Sequence, residues 1–491
     1  MNGRRRGDVF YKKRRAAVRT ARRFSSYTDS RMTGRKIDKE RKPEMSEYVM
    51  NGGAPLVGEV EVSGAKNGAL PLLFASVLAE GACTYYHVPD IGDVRLTLRI
   101  LSEMGARVTR WDAHTVTVDA RYLSPEAIPR HLTAGMRASS YLLGACLGRF
   151  GYAAEPLTGG CDFGNRPLNC HYGAFHALGA QGEGELYAPA AGLTGGRYVF
   201  PQVSVGATVN GLFAACRARG VTHLSNCATE SHVGDLIRFL LALGADIRGV
   251  GTPELEIRGC PHLGKASFVV SPDEIEAGTY LLAGVATAGD VTVTGIRPCD
   301  LSPLIGVLVR AGCRVDTAPD RVRVRRGDVF SGVSVETAPA PGFPTDLHPQ
   351  TVAALCFADG ESRMTERVWQ ERFRYTGELA RMGASFTREG QTLTLRPAAM
   401  HAADVTVTDL RGGAALAIAA LAVPGVSRLS GCELIERGYE DFTGKLRRLG
   451  GDVRVSVVPP SCPPRAGEKS AEQRDEEHGG DARTADGDGQ G

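Results

Sequence analysis

One pattern of apolar and polar positions recurs along the chain: an apolar helix end, then Gly, then a small residue. It reads LSEMGARV at Gly105, FHALGAQG at Gly179, LLALGADI at Gly244, LVRAGCRV at Gly312, LARMGASF at Gly383 and LRRLGGDV at Gly450. The copies lie roughly 70 residues apart, longer than the period of the common solenoids. Most run into alternating stretches (VTVDA, LEIRG, VRVRRG, LTLRP) that predict strands. The Gly fits the position after a helix end, where positive φ is required. Each copy also holds a second helix, starting in small residues and running into Leu and Ala: GAKNGALPLLFASVLAEG, GMRASSYLLGACLGRFG, SVGATVNGLFAACRARG, IEAGTYLLAGVATAG, TDLHPQTVAALCFADG and TDLRGGAALAIAALAVPG. A unit is therefore two helices with several strands. One such unit cannot bury its own sheet, so six must pack together. The periodicity allows one ring of six or two clusters of three.

Composition adds a soluble globular class, with 43% hydrophobic and 23% charged residues over 491 positions. The charge is uneven. Residues 1–45 carry sixteen Lys and Arg against five Asp and Glu, a basic arm expected to be disordered. It directly precedes the first patterned segment at Met45 and Met50, and with few aromatics and no motif it makes a poor nucleic-acid binder. The tail at 458–491, rich in Gly, Asp and Glu, is also expected to be disordered. Twelve cysteines without a CxxC pair or regular spacing argue against a disulfide framework or zinc site and for a reducing cytoplasm. Cys146, Cys216 and Cys356 read as small buried hydrophobes. No apolar run reaches transmembrane length, and no apolar core follows the basic start as in a secretory signal.

The candidate chemistry collects at the starts of the second helices, where free N–H groups favour anions. Lys66-Asn67, Arg137 and Asp409-Leu410-Arg411 stand at three of these starts and Asp346 at another. Repeated units tend to bring such starts together. In PLTGGCDFGNRPLNCHYG, Cys161 lies in a Gly-rich loop with Arg166 five residues on, a setting that lowers a thiol pKa and suits an acid, base or nucleophile. In PAPGFPTDLHPQ, Asp346 is either a helix N-cap or a general base, with the cap favoured. Arg372 and Arg437 lie in polar loops, and Asp273 and Glu276 read as helix-start acids. His171, His176 and His232 lack metal-ligand spacing and are assigned no chemistry. A lysine, several arginines, a carboxylate and a cysteine suit a small polyanion, with no metal and no cofactor required.

The segments SGAKNGALPLLFASVLAEG, GGCDFGNRP, PQVSVGAT, PDEIEAGT, FPTDLHPQ, TDLRGGAALAIA and IERGYEDFTGKLRRLGG together resemble the UDP-N-acetylglucosamine 1-carboxyvinyltransferases, members of the enolpyruvyl transferase family. The likeness runs in order from about Pro55 to Val455. It implies an α/β protein of two domains, each three repeated βα units in an inside-out α/β barrel with pseudo-threefold symmetry: 46–65 plus 272–457, and 66–271. It implies crossings near Gly64–Lys66 and Ser271–Pro272, and a first strand that belongs with the last three units. The implied substrates are phosphoenolpyruvate and UDP-N-acetylglucosamine, bound in the cleft between domains, in the first committed step of peptidoglycan synthesis. The implied catalytic residues are Cys161, Asp346, Lys66 and Arg437. Cys161 would protonate C3 and react with fosfomycin-type inhibitors, and Asp346 would take the hydroxyl proton. Lys66, Arg166 and Arg437 would surround the phosphate; Arg372 and Arg411 would surround the carboxylate. Asn67 joins these substrate-binding positions. Arg137, Arg166, Pro167, Leu168, Asn169, Cys170, Gln202, Val203, Ser204, Val205, Asp346 and Val368 would meet the nucleotide sugar. The chain departs from the family at Asn169 (commonly Asp), Gln202 (often Lys) and QERFRYTGEL (commonly Asn-Arg-Phe-Met-His around the arginine). Alternatives are a divergent paralogue, the sister enzyme acting on shikimate 3-phosphate, which generally lacks the loop cysteine, and a catalytically silent scaffold, which should have lost several of these charged residues.

Overall fold

The computed structural model describes residues 45–156, 159 and 167–458. The expected disordered arm and tail therefore lie outside the described residues, apart from the arm's last position, Met45, and the tail's first, Val458. Both begin or end strands of one sheet, so neither is disordered: Met45 pairs with Val458.

Among the described residues, helices longer than four residues come in six pairs. These are α1 (Lys66–Ala75) with α2 (Gly92–Glu103), α3 (Tyr141–Phe150) with α4 (Asn169–Ala177), α5 (Val205–Ala215) with α6 (Ser231–Ala242), α7 (Glu274–Ala286) with α8 (Ser302–Arg310), α9 (His348–Leu355) with α10 (Thr376–Arg381), and α11 (Leu410–Ala422) with α12 (Phe442–Arg448). The odd-numbered helices are the small-residue segments of the repeat. Every residue of α9, every residue of α11 up to Leu421, and every residue of α7 after Glu274 is buried. A helix apolar on all sides has to be enclosed by protein, and α7, α9 and α11 pack against one another at the centre of one core. In a second core α3 packs against α1 and α5. There Gly144 permits the close approach: a Cβ on it would lie 2.4 Å from the Asn210 carbonyl oxygen. The Asn210 side chain fills the gap, accepting from Gly144 N at 2.7 Å and donating to Ser140 O at 3.1 Å.

The even-numbered helices precede the recurring glycines. Gly105, Gly179, Gly244, Gly312, Gly383 and Gly450 all have φ between 84° and 105°, the left-handed turn that ends a helix cheaply only with Gly. Strands then cover the central helices. Among the described residues there are five four-stranded sheets and one two-stranded sheet, Tyr152–Ala154 with Glu185–Tyr187. The four-stranded plan repeats. Val57–Glu61 runs parallel to Asp290–Thr294, which pairs antiparallel with Arg321–Arg325 and so reaches Arg314–Ala318. Alternation sets the inward face: Val60, Val293 and Val322 are opposite one another and buried. In the last sheet Met45–Gly52 inserts between Gly425–Ser430 and Asp452–Val458, so the first strand completes the final unit.

One core gathers buried side chains from Ala65 to Val270; the other gathers Tyr48 to Val62 and Ile275 to Val453. The chain passes between them twice, side by side, with Gly64 bridged to Pro272 and Ala65 N donating to Ser271 O at 2.7 Å. Asp273 caps α7 as the sequence implied, accepting from Ile275 N and Glu276 N. Glu276 also lies in the first turn of α7, as the sequence implied, and it has a further role. It is buried, and its carboxylate accepts from Ser63 N at 2.7 Å and Lys445 Nζ at 2.5 Å. Lys445 also donates to Ser63 Oγ. The pair thus ties α7 and α12 to the crossing strand. Among the described residues no helix is long and apolar enough to cross a membrane.

Candidate active site

Three of the charged helix starts, at Lys66, Asp346 and Arg411, come together where the two cores meet. Lys66 opens α1, and its backbone N donates to Asp273 Oδ2 at 3.0 Å, so the cap of α7 also steadies the start of α1. Lys66 Nζ lies 2.8 Å from Asp93 Oδ2. The next residue, Asn67, donates from Nδ2 to Asp346 Oδ2 at 3.3 Å.

Asp346 sits in a single turn, Thr345–Leu347, ahead of α9. The favoured N-cap role is not what the structure shows: neither this turn nor α9 has a side-chain cap. Two arginines and an amide draw the carboxylate away instead. Arg372 Nη2 donates to Oδ1 at 2.7 Å and Arg411 Nη2 to Oδ2 at 3.2 Å. The two arginine side chains are 3% exposed, whereas the Asp346 side chain keeps 27%. Burial pushes its pKa up, but Arg372, Arg411 and Asn67 together hold it well below the usual carboxylate range.

Each arginine is itself held. Asp409 caps α11, accepting from Arg411 N at 3.0 Å and Gly412 N at 2.8 Å. The Arg411 guanidinium lies 5.1 Å from the centre of the Tyr439 ring, and Tyr439 OH is fixed by Thr279 and Gln350. Arg411 Nε and Nη1 are buried, with no hydrogen-bond partner among the described residues, an arrangement suited to an incoming anion. Arg372 Nη1 donates to Thr345 Oγ1. Thr345 donates on to Glu366, whose carboxylate also accepts from Val368 N at 2.7 Å and Trp369 N at 3.0 Å. Burial raises the Glu366 pKa, but His348 and these donors outweigh it and bring it to about 2. The anionic glutamate therefore shapes the turn that carries Val368 toward Arg372.

Arg437 comes from the opposite core to Lys66. Its Nε donates to Asp93 Oδ1 at 2.9 Å and its Nη2 to Gly135 O at 3.0 Å. Nothing in the local sequence marks Asp93, Glu366 or Tyr439 as functional. Asp93 looks there like an ordinary first-turn acid of α2, and its partner Arg437 is 344 positions away.

The second group of candidates lies around α4 and α5. Arg137 opens a single turn, Arg137–Ser140, one turn before α3 itself. Pro167 and Leu168 lead into α4 at Asn169, where Asn169 is exposed and Cys170 buried. Gln202 and Val203 precede Ser204, whose Oγ caps α5 by accepting from Ala207 N, and Val205 is the first helical residue. The two segments touch through His171 and Gly206: a Cβ on Gly206 would lie 3.0 Å from His171 Nε2. Cys161 and Arg166 lie outside the described residues.

Burial, aided by the nearby Arg137 charge, lowers the His171 pKa from 6.5 to about 4. The imidazole is therefore neutral in the fold, while the unfolded chain takes up a proton as pH drops below 6.5. Stability from this site is complete above pH 6.5 and is lost between 6.5 and 4, by about 3 kcal/mol in all. His171→Gln should flatten that part of the stability curve, measured by urea unfolding at several pH values; an unchanged slope would exclude His171 as its source.

Comparison with known proteins bears on this geometry. The signature of the EPSP synthase (3-phosphoshikimate 1-carboxyvinyltransferase) family matches residues 50–446. A UDP-N-acetylglucosamine 1-carboxyvinyltransferase of Caldanaerobacter subterraneus is 42% identical over 413 residues, covering 83% of this chain and 99% of the relative. One from Halothermothrix orenii is 39% identical, covering 84% and 99%. Among solved structures, the enolpyruvyl transferase NikO of Streptomyces tendae superimposes with a TM-score of 0.75 at 27% identity, over 85% of this chain and all of that one. An EPSP synthase of Acinetobacter baumannii, 19% identical, shares the fold with a TM-score of 0.64 over 84% of this chain and all of that one.

Proposed function

This chain belongs to the EPSP synthase family, in its UDP-N-acetylglucosamine 1-carboxyvinyltransferase branch, and from that premise we propose that it transfers the enolpyruvyl group of phosphoenolpyruvate to the 3′-hydroxyl of UDP-N-acetylglucosamine, releasing phosphate, in the first committed step of peptidoglycan synthesis. The observation that carries the reading is the ionised Asp346 held between Arg372 and Arg411 and joined to Asn67, whose neighbour Lys66 shares Asp93 with Arg437. Residues 46–65 with 272–457, and residues 66–271, are taken as the two domains that bound the cleft; the separate cores support this division.

In this reading the substrate carboxylate is met by Arg372 and Arg411 and the phosphate by Lys66, Arg166 and Arg437. The sugar hydroxyl attacks C2, its proton passing to Asp346, while C3 receives a proton from Cys161. A tetrahedral ketal results. Loss of a proton from C3 then restores the double bond as the C2–O bond to phosphate breaks. An isolated Asp346 so strongly paired would be a weak base. When the substrate carboxylate claims part of both guanidinium groups, that pairing relaxes and the basicity of Asp346 rises. Substrate binding thus activates the base that the reaction needs.

The nucleotide sugar is assigned to Arg137, Pro167–Cys170, Gln202–Val205 and Val368. The contact of His171 with Gly206, which joins two of these segments, supports the grouping. The described cysteines are free thiols, consistent with a cytoplasmic enzyme. Phosphate release from phosphoenolpyruvate should require UDP-N-acetylglucosamine; release with shikimate 3-phosphate instead would select the sister reaction. A fosfomycin-type epoxide should alkylate Cys161, so Cys161→Ser should abolish the mass adduct; an adduct that persists would place the reactive thiol elsewhere.

A further inference from the structure

Asp93 stands between two cations, one from each core. It lies in the first turn of α2 and is buried, with Oδ2 2.8 Å from Lys66 Nζ and Oδ1 accepting from Arg437 Nε at 2.9 Å. The backbones abut as well: Asp93 N donates to Arg437 O at 3.2 Å, and a Cβ on Gly92 would lie 3.2 Å from Arg437 Cα. Burial pushes the Asp93 carboxyl pKa up, but Lys66 and Arg437 outweigh it and keep the group ionised. The proposed mechanism gives Asp93 no chemical step, yet it engages Lys66 Nζ and Arg437 Nε, donors of two residues assigned to the phosphate.

We propose that Asp93 is a positioning residue that acts as an internal counter-anion, pairing Lys66 with Arg437 across the cleft and holding phosphate affinity low enough for release. The inference rests on the reading that Lys66 and Arg437 meet the phosphate. Its sign follows from counting charges at similar separations. Without Asp93, bringing the two cations together meets the repulsion of one pair of unit charges. With Asp93, a phosphate dianion meets the repulsion of nearly two such pairs. The second term is larger, so removing the carboxylate tightens phosphate binding. Tighter binding of substrate and product alike lowers KM without helping the chemical step, and it slows product departure.

The test is calorimetric titration of the full chain with inorganic phosphate, together with steady-state kinetics. Asp93→Asn should bind phosphate roughly tenfold tighter, with KM for phosphoenolpyruvate and kcat both reduced. Asp93→Glu should restore affinity to within about threefold of wild type, because it keeps the charge. A merely structural role would leave phosphate binding unchanged or weaken it, and either result in a folded Asn variant overturns the proposal. Asp93→Ser carries the same expectation and decides the matter if the Asn variant does not fold. Wild-type protein that binds no phosphate would remove the phosphate assignment and this inference together. Phosphate tightening in a protein that does not turn over UDP-N-acetylglucosamine would count against the acceptor alone.

Discussion

Asp346→Asn should lower kcat by roughly a thousandfold, because a general base typically contributes between a hundredfold and ten-thousandfold. The substitution keeps the shape of the side chain and its contact with Asn67, and it removes the negative charge between Arg372 and Arg411. Those two guanidinium groups would then face the substrate carboxylate with no competing anion. The KM for phosphoenolpyruvate should therefore hold steady or fall while kcat collapses. A structural carboxylate would behave in the opposite way: its loss would let the arginines drift, raising KM and leaving kcat nearly intact. Steady-state kinetics with phosphoenolpyruvate as the varied substrate separate the two cases.

Arg411→Lys should reduce kcat/KM for phosphoenolpyruvate on the order of a hundredfold, mostly through KM. An ammonium group can reach Asp346, but it cannot present a planar fork to a carboxylate while lying over the Tyr439 ring. The buried Nε and Nη1 of Arg411, which have no hydrogen-bond partner among the described residues, are the donors the substitution removes. The KM for UDP-N-acetylglucosamine should change less, because most of the residues assigned to that substrate lie just before α3 and at the starts of α4 and α5. Equal increases in both KM values would mean that the substitution disturbs the cleft as a whole. Tyr439→Phe would then be informative, since it keeps the ring under Arg411 and removes only the hydroxyl held by Thr279 and Gln350.

These two residues also show what a sequence can and cannot reveal here. Local signals carried far. The recurring Gly residues mark six helix ends with positive φ, and the small-residue segments are the helices enclosed at the centre of each core. Helix starts with charge at Lys66, Asp346 and Arg411 do converge. Periodicity left one ring or two trios open, because it measures spacing and is blind to which units share a core. The Asp346 cap was the natural local inference, since an Asp one turn before a helix usually caps it. The structure reverses it because Arg372 and Arg411, distant in sequence, outbid the backbone N–H groups. Asp93, Glu366 and Tyr439 were beyond reach for the same reason. Each looks ordinary among its sequence neighbours and acquires its role only from partners that folding brings alongside, as with Asp93 and Arg437 across 344 positions.

Addition followed by elimination passes C3 of phosphoenolpyruvate through a methyl group, and this can be seen directly. The decisive measurement is mass spectrometry and proton NMR of the product formed from phosphoenolpyruvate and UDP-N-acetylglucosamine in heavy water. The account predicts an enolpyruvyl ether at the 3′ oxygen with solvent deuterium in its vinyl group, formed in step with phosphate. Absence of the ether, or an ether whose vinyl group carries no deuterium, would contradict it.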